Sequence, residues 1–288
     1  MANTTALKRR ITSVKNTKQI TKAMELVSAS KMRRAQEHAA RSRAFRNMAI
    51  DLLNRLSELT DVTQHPLYKQ RAINTRLHIL ISSDRGLAGA LNSNLFKAFT
   101  KELVEDRDLG RKSQVIVIGK QGQRFVAKLD GVEVIAAYDG FPEKPTAADI
   151  RPILKELLAA FKEERADAVD VTYTDFKTSL LQEVETLRLL PAVFEPTTKE
   201  DQEEKAIFEP SPDKVLDAVT ERFIELLLSQ AFYEAQASEQ SMRRNAMKNA
   251  TDNANDLVDD LTLEFNTARQ AAITQELAEI TGGAEAMK

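Results

Sequence analysis

The sequence predicts an α/β protein in which two long terminal helices fold back on each other as an antiparallel coiled coil, with a central Rossmann-like α/β domain of mostly parallel sheet between them. Three observations carry this expectation. Both ends of the chain hold long stretches without Gly or Pro, those stretches repeat apolar residues at three- and four-residue steps, and the middle alternates short aliphatic runs with helix-like segments. A hydrophobic content of 42% suffices for a core, while 6% aromatic content and the absence of Trp require that core to be aliphatic and Ala-rich, which suits long helices.

From about residue 5 to 59 the apolar positions recur as Leu7, Ile11, Val14, then Ile20, Met24, Val27, then Met48, Leu52, Leu56 and Leu59. This pattern predicts one helix of about 55 residues, roughly 80 Å long at 1.5 Å per residue. His65-Pro66 closes the region, because a residue before Pro avoids the helical basin. The first predicted unit is therefore 1–60.

The central α/β domain is predicted over 75–195. Strands are expected at Leu77 to Ser82, Val115 to Ile118, Val132 to Tyr138, Val169 to Tyr173 and Leu187 to Leu190, with helices at 93–107, 121–129 and 146–162 between them. Thr146 is placed as the N-cap of the last helix, with Asp149 three residues on as a capping-box variant. Strands that alternate with helices imply a mostly parallel, helix-covered sheet.

A polar linker from Glu195-Pro196 to Glu209-Pro210 carries the acidic run Glu200, Asp201, Glu203 and Glu204. Ser211-Pro212-Asp213 then makes a helix start, since Ser can cap free amides, Pro fits the first turn and Asp favours the positive end of the dipole. The third unit, 211–283, runs about 70 residues without Gly or Pro before Gly282-Gly283 is expected to end it.

Helices of this length cannot both lie on one small domain, so 211–283 is expected to pair with 1–60. Residues 1 to 50 carry twelve Lys or Arg against Glu25 and Glu37, a net charge of +10 that leaves −12 for the remainder of a chain whose total is −2. Asp252, Asp256, Asp259, Asp260 and Glu264 form an acidic stretch without Lys or Arg, and facing it with Lys8 to Lys22 sets an expected register with Lys15 near Asp252. The residues from about 268 onward then overhang the N-terminus. They carry Ile273, Leu277 and Ile280, and a lone helix with apolar residues in water calls for a surrounding partner.

Several function classes find no support. The chain has no Cys, which removes disulfides, thiolate zinc sites and thiol nucleophiles. No stretch approaches the roughly 20 apolar residues of a membrane span and the first twenty lack the apolar block of a secretory signal, so a soluble, cytoplasmic protein is expected. His38, His65 and His78 lie in separate segments with no second ligand at metal spacing. No cofactor, metal or small-molecule substrate is expected, and no framed nucleophile is present.

Ser82-Ser83-Asp84-Arg85-Gly86-Leu87-Ala88-Gly89-Ala90-Leu91-Asn92 sits where a strand gives way to a helix and could in principle hold a phosphate. It lacks the Lys-Ser/Thr ending of a P-loop, so Asp84, Arg85 and Gly86 are read as a structural turn. Gly119-Lys120-Gln121-Gly122 receives the same reading. By contrast, Ile20 to Arg33 and Ser238 to Lys248 mix small, flexible and basic side chains suited to mechanical contact, beside the plainer reading of coiled-coil core and solvated charge.

With those residues in view, the chain resembles the gamma-subunit family of F-type ATP synthases over nearly its whole length. The resemblance rests on Ile20 to Arg33, on Ser83-Asp84-Arg85-Gly86-Leu87, on Ala250-Thr251-Asp252-Asn253-Ala254 and on Asn266 to Leu277. Ala88 stands where many members have Cys. The resemblance implies a non-catalytic central rotor stalk that couples proton-driven rotation of a membrane c-ring to conformational cycling of catalytic beta subunits. Its implied partners are the alpha and beta subunits of the hexamer, the epsilon subunit and the c-ring, with no nucleic acid. It implies that Met24 and Arg243 approach an acidic loop of beta and that Arg269, Gln270 and Thr274 form a polar catch. Because the motif starts almost at residue 1, a bacterial-type protein without presequence is expected, peripheral on the cytoplasmic face of the plasma membrane. A free-standing coiled-coil adaptor, or an α/β enzyme using the Ser83 to Asn92 turn, are the alternatives.

Overall fold

The computed structural model describes residues 2–57, 65–142, 145–192, 209 and 211–286. Ten elements follow in chain order: α1 (Ala2–Ser57), β1 (Thr75–Ile81), α2 (Leu91–Asp108), β2 (Lys112–Ile118), α3 (Lys120–Val126), β3 (Val132–Tyr138), α4 (Ala147–Lys162), β4 (Ala168–Phe176), β5 (Gln182–Leu190) and α5 (Pro212–Ala286). The expected linker at 195–210 lies almost wholly outside the described residues. Contacts divide the chain into two compact units, Met1–Ser28 with Arg243–Lys288, and Ala29–Met242.

In the larger unit the sheet has the order β3-β2-β1-β4-β5. β1 pairs in parallel with β2, from Thr75 opposite Lys112 to Ile81 opposite Ile118, and in parallel with β4, while β3 continues the parallel set. β5 closes the other edge antiparallel to β4. Alternation along the strands explains the layering. Leu77, Ile79 and Ile81 of β1, with Ile116, Ile118, Val169 and Val171, face a core filled by Leu53 and Leu56 of α1, Ile153 and Leu157 of α4, and Ile224 and Leu228 of α5. Leu80, Val115 and Val117 face the opposite side and meet Leu95 and Phe99 of α2 and Val126 of α3. Both faces are covered, as a parallel sheet requires.

Local chemistry sets the element ends. The Asp149 carboxylate accepts hydrogen bonds from the backbone N–H and the hydroxyl of Thr146, both at 2.7 Å, which holds the start of α4 as expected. The same bonds, the Thr146 hydroxyl first, keep the Asp149 carboxyl below its ordinary pKa. α5 starts at Pro212, with Val215 N–H donating to Ser211 O at 3.1 Å. Its other end differs from expectation, because the helix passes through Gly282 and Gly283 to Ala286. Two glycines weaken a helix by about 1 kcal/mol each relative to Ala, but a stop needs a left-handed cap as well. α3 ends at Val126, three residues before its expected end, because Lys128 and Leu129 donate instead to Phe125 and Val126 in tighter three-residue turns. Ser82 leaves β1 to donate through both its N–H and hydroxyl to Ile118 O, each at 2.8 Å.

In the smaller unit, α1 and α5 present small and aliphatic side chains to each other. Leu7, Thr21 and Ser28 are buried on α1, and Met247, Thr251, Ala254 and Leu261 on α5. The hydroxyl of Thr251 donates to the hydroxyl of Thr21 at 2.8 Å. Position 21 is therefore level with 251, so in an antiparallel pair position 15 is level with about 257, roughly 7 Å along the axis from 252. The expected register of Lys15 near Asp252 is thus displaced by about five residues. No ion pair joins Lys15 to Asp252 among the described residues, and both are exposed. The physical reason is a matter of magnitudes. An exposed Lys–Asp pair contributes about 0 to 1 kcal/mol, less than burying the small residues that fit between two backbones.

Candidate functional site

Two regions were singled out by sequence, and the structure gives them different characters. The turn after β1 is closed upon itself. The Asp84 carboxylate accepts the backbone N–H of Lys120 at 3.0 Å through Oδ1 and that of Gly140 at 3.1 Å through Oδ2. Asp84 therefore ties the C-terminal end of β1 to those of β2 and β3. Ser83 and Asn92 brace the same turn, the Asn92 amide donating to Ser83 Oγ at 2.8 Å and Ser83 Oγ donating to Arg85 O at 2.8 Å. Gly119 adopts φ +96°, and a Cβ there would lie 2.2 Å from Ser82 O. Gly122 is equally confined, since its Cβ would lie 2.6 Å from Ser82 Oγ. The amides of Lys120, Gly122 and Gly140 at this strand end already serve Asp84 and Ser82.

Titratable groups beneath the sheet are likewise committed to neighbours. His78 and Asp106 are fully buried, with Nε2 of His78 2.8 Å from Asp106 Oδ2. Arg76 reaches Asp106 at 3.3 Å, Asp170 at 3.5 Å and Glu102 at 3.4 Å, while Arg111 approaches Asp106 at 3.6 Å and Arg188 pairs with Asp170. Burial alone would raise the Asp106 carboxyl. The hydrogen bond from His78 and the charges of Arg76, His78 and Arg111 outweigh it and hold the carboxyl below its ordinary pKa. On the other face, burial first and the charges of Glu234, Asp175 and Glu185 after it push the Tyr173 hydroxyl far up, so that it serves only as a donor to Glu234 at 3.2 Å. Among the described residues no group of three or more His, Asp or Glu is arranged to hold a metal ion.

The second region lies along the helices of the smaller unit. Met24 is half-buried on α1, and Arg243 of α5 is 7% exposed. Position 24 is level with about 248, so the two side chains lie within about five residues, or about one and a half turns, of each other along the helix pair. Farther along α5, Arg269, Gln270 and Thr274 are exposed, and Thr274 Oγ1 donates to Gln270 O at 3.0 Å. Gln270 and Thr274, four residues apart, share one face. Around them Leu263, Ile273, Leu277 and Ile280 are 70, 49, 58 and 68% exposed. Ile273, Leu277 and Ile280 lie past the start of α1, and exposed apolar surface of this kind asks for a covering partner.

Sequence reasoning missed several contacts. Thr21 and Thr251 look like ordinary polar positions; the signal that marks them is a hydroxyl falling where the helical repeat expects a core residue. The stack of His38 on Tyr233, 5.4 Å between centroids, and the bond from the Tyr233 hydroxyl to Pro145 O at 2.9 Å join segments far apart in sequence and leave no local signature. Gly119 and Gly140, each just past a strand with positive φ, were the available hint that backbone amides converge near Asp84.

Among the described residues, the exposed apolar run on α5 is thus the surface left to account for. The comparisons with known proteins give its context. The family described as ATP synthase matches residues 3–287. An ATP synthase gamma chain of Legionella pneumophila is 36% identical, with all of both chains covered. Gamma chains of Herpetosiphon aurantiacus, 41% identical over all of this chain and 99% of that one, and of Alkaliphilus metalliredigens, 38% identical over 98% of each, are similar throughout. Among solved structures, a chain of the Euglena gracilis mitochondrial ATP synthase OSCP/F1/c-ring shares the fold with a TM-score of 0.70 at 17% identity, over 99% of this chain and 95% of that one. A central stalk/c-ring chain of the Tetrahymena thermophila mitochondrial enzyme does so with a TM-score of 0.61 at 23% identity, over 80% and 99%. The chain belongs to the ATP synthase gamma-chain family. It is a non-catalytic, peripheral subunit that forms the central rotor stalk of a membrane-bound complex, and no helix among its described residues is long and apolar enough to cross a membrane.

Proposed function

We propose that the helices 1–60 and 211–283 pair as the rotor shaft within a hexamer of alternating alpha and beta subunits, while the α/β domain over 75–195 rides with the epsilon subunit on a membrane c-ring. Proton flow turns the ring, and the eccentric shaft drives each beta site in turn through binding, synthesis and release; ATP hydrolysis turns it backwards. Met24 and Arg243 approach an acidic loop of beta. Arg269, Gln270 and Thr274 form a polar catch higher on α5. The complex lies on the cytoplasmic face of a bacterial plasma membrane, a reading supported by full-length relatives that are themselves bacterial.

The observation that carries this reading is the exposed run Leu263, Ile273, Leu277 and Ile280 on α5. With position 21 level with 251, Ile273, Leu277 and Ile280 lie along α5 past the start of α1, which does not cover them, and a partner chain can. A closed sleeve of subunits covers an apolar helix on all sides and still lets it turn, because apolar contact has no preferred direction. The positive surface at the start of α1, with Lys8, Arg9, Arg10 and Lys15 exposed, suits acidic loops at the mouth of such a sleeve. Reconstitution with cognate alpha and beta subunits, with a probe on the α/β domain, tests the reading. Stepwise one-way rotation during ATP hydrolysis is the expected result, and failure of the folded chain to bind the hexamer would refute it.

A further inference from the structure

The path from the sheet to the helices within the larger unit runs through a short strap after β3. Gly140, fixed by its N–H bond to Asp84 at 3.1 Å, is followed by Phe141, whose ring stacks on Phe232 of α5 with centroids 4.7 Å apart and planes 24° from parallel. The next residue of α5, Tyr233, donates its hydroxyl to Pro145 O at 2.9 Å and stacks on His38 of α1. Asp84 also holds Lys120 N–H at 3.0 Å, and Gly119 N–H donates to Tyr138 O at 2.8 Å, so the strap is anchored to three strand ends at once. Gly140 has φ +65°, a conformation that lets the chain turn sharply from β3 toward α5.

Elsewhere in this unit α5 meets the sheet and α4 through aliphatic side chains such as Leu216, Ile224 and Leu228, and through bonds of Glu234 with Tyr173, Ser241 with Ser179 and Glu221 with Lys162, none of which reaches the C-terminal ends of β1, β2 and β3. Aliphatic contact resists separation but opposes sideways sliding weakly, because it is non-directional. Hydrogen bonds and aromatic stacks have fixed geometry and do oppose it. We infer that Asp84 is a positioning residue for rotary coupling: through Gly140 and Phe141 it latches the sheet to the helices, so that torque received by the α/β domain passes to the shaft without slip. This rests on the rotor reading above. It also gives the Ser83 to Leu87 turn a role that needs neither ligand nor chemistry.

Three variants in the assembled membrane complex test it: Asp84→Asn, Tyr233→Phe and the two combined. Asn has one side-chain oxygen where Asp has two, so one of the two amide bonds is lost with the shape kept, and Phe removes only the hydroxyl bond to Pro145. Amide exchange at Gly140 or at Lys120, whichever loses its acceptor, should speed up by about tenfold in Asp84→Asn, the loss of one charge-assisted hydrogen bond. ATP hydrolysis should persist in each single variant while protons pumped per ATP fall. Because both residues act along one path, the double variant should pump no worse than the weaker single one, whereas sites acting separately add their effects. Unchanged pumping per ATP in both single variants, or additive losses in the double, would overturn the latch. If the unaltered complex hydrolyses ATP without turning a probe on the α/β domain, the rotor reading falls and takes the latch with it, while Gly140 exchange still reports whether Asp84 holds the strap.

Discussion

A disulfide between positions 21 and 251 is the most direct way to read the register of the helix pair. The chain has no Cys, so Thr21→Cys with Thr251→Cys introduces the sole thiols. The hydroxyls they replace lie 2.8 Å apart, which places the two Cβ atoms within reach of a bridge. Closing a loop of 230 residues would remove about 5.5 kcal/mol of denatured-chain entropy as an upper bound, offset by about 1 kcal/mol for the lost buried hydrogen bond. Oxidation should therefore give an intramolecular crosslink, seen as a shift on non-reducing gels, and a higher denaturant midpoint than the reduced form. Lys15→Cys with Asp252→Cys is the control. Those positions are offset by about 7 Å along the axis, beyond the Cα separation a disulfide spans, and should stay reduced under the same conditions. A crosslink at 15–252 with none at 21–251 would refute the register and restore charge as the determinant of pairing.

Further outcomes follow from the buried groups. Asp106 has its pKa lowered on folding, so its contribution to stability is complete above the ordinary carboxyl value of about 4 and is lost as pH falls through the lowered value. Urea unfolding of the wild type should weaken below about pH 4, with a smaller dependence in Asp106→Asn. Asp106→Ala leaves Arg76 and Arg111 facing a vacancy and should cost about 3 to 5 kcal/mol at neutral pH, read from the same titration. Gly119→Ala forces a Cβ to within 2.2 Å of Ser82 O at φ +96° and should destabilise the domain by about 3 kcal/mol or more, visible as a lower denaturant midpoint. Met24→Lys should reduce ATP-driven proton pumping more than it reduces assembly; pumping equal to wild type would remove Met24 from the contact with beta.

Much of the fold was legible because it is written in local periodicity. The Gly- and Pro-free runs from Leu7 to Leu56 and from Asp213 to Thr281 became α1 and most of α5, and the runs at 77–81, 115–118 and 169–173 became strands buried on both faces. Thr146 and Asp149 marked the start of α4 because a cap is a contact between near neighbours. β5 was only half visible: Gln182 to Thr186 hold a single apolar residue, Val184, on an edge strand, and the pairing with β4 completes them. Gly282-Gly283 misled because a glycine pair marks a helix end only when the backbone around it turns into a cap.

The sequence by itself determined the order and kind of the elements, since three- and four-residue steps, strand-length aliphatic runs and capping residues act within a few positions of each other. It also carried the family resemblance through Ile20 to Arg33 and Asn266 to Leu277. Only the tertiary structure decided which residues meet across long separations. Thr21 with Thr251, Asp84 with Gly140, Tyr233 with His38, and Arg76 among Asp106, Asp170 and Glu102 are all pairings between distant segments. Their partners are selected by where packing brings the backbones together. Charge pattern alone misplaced the helix register, because exposed ion pairs are weak in water and the fit of small buried side chains is not.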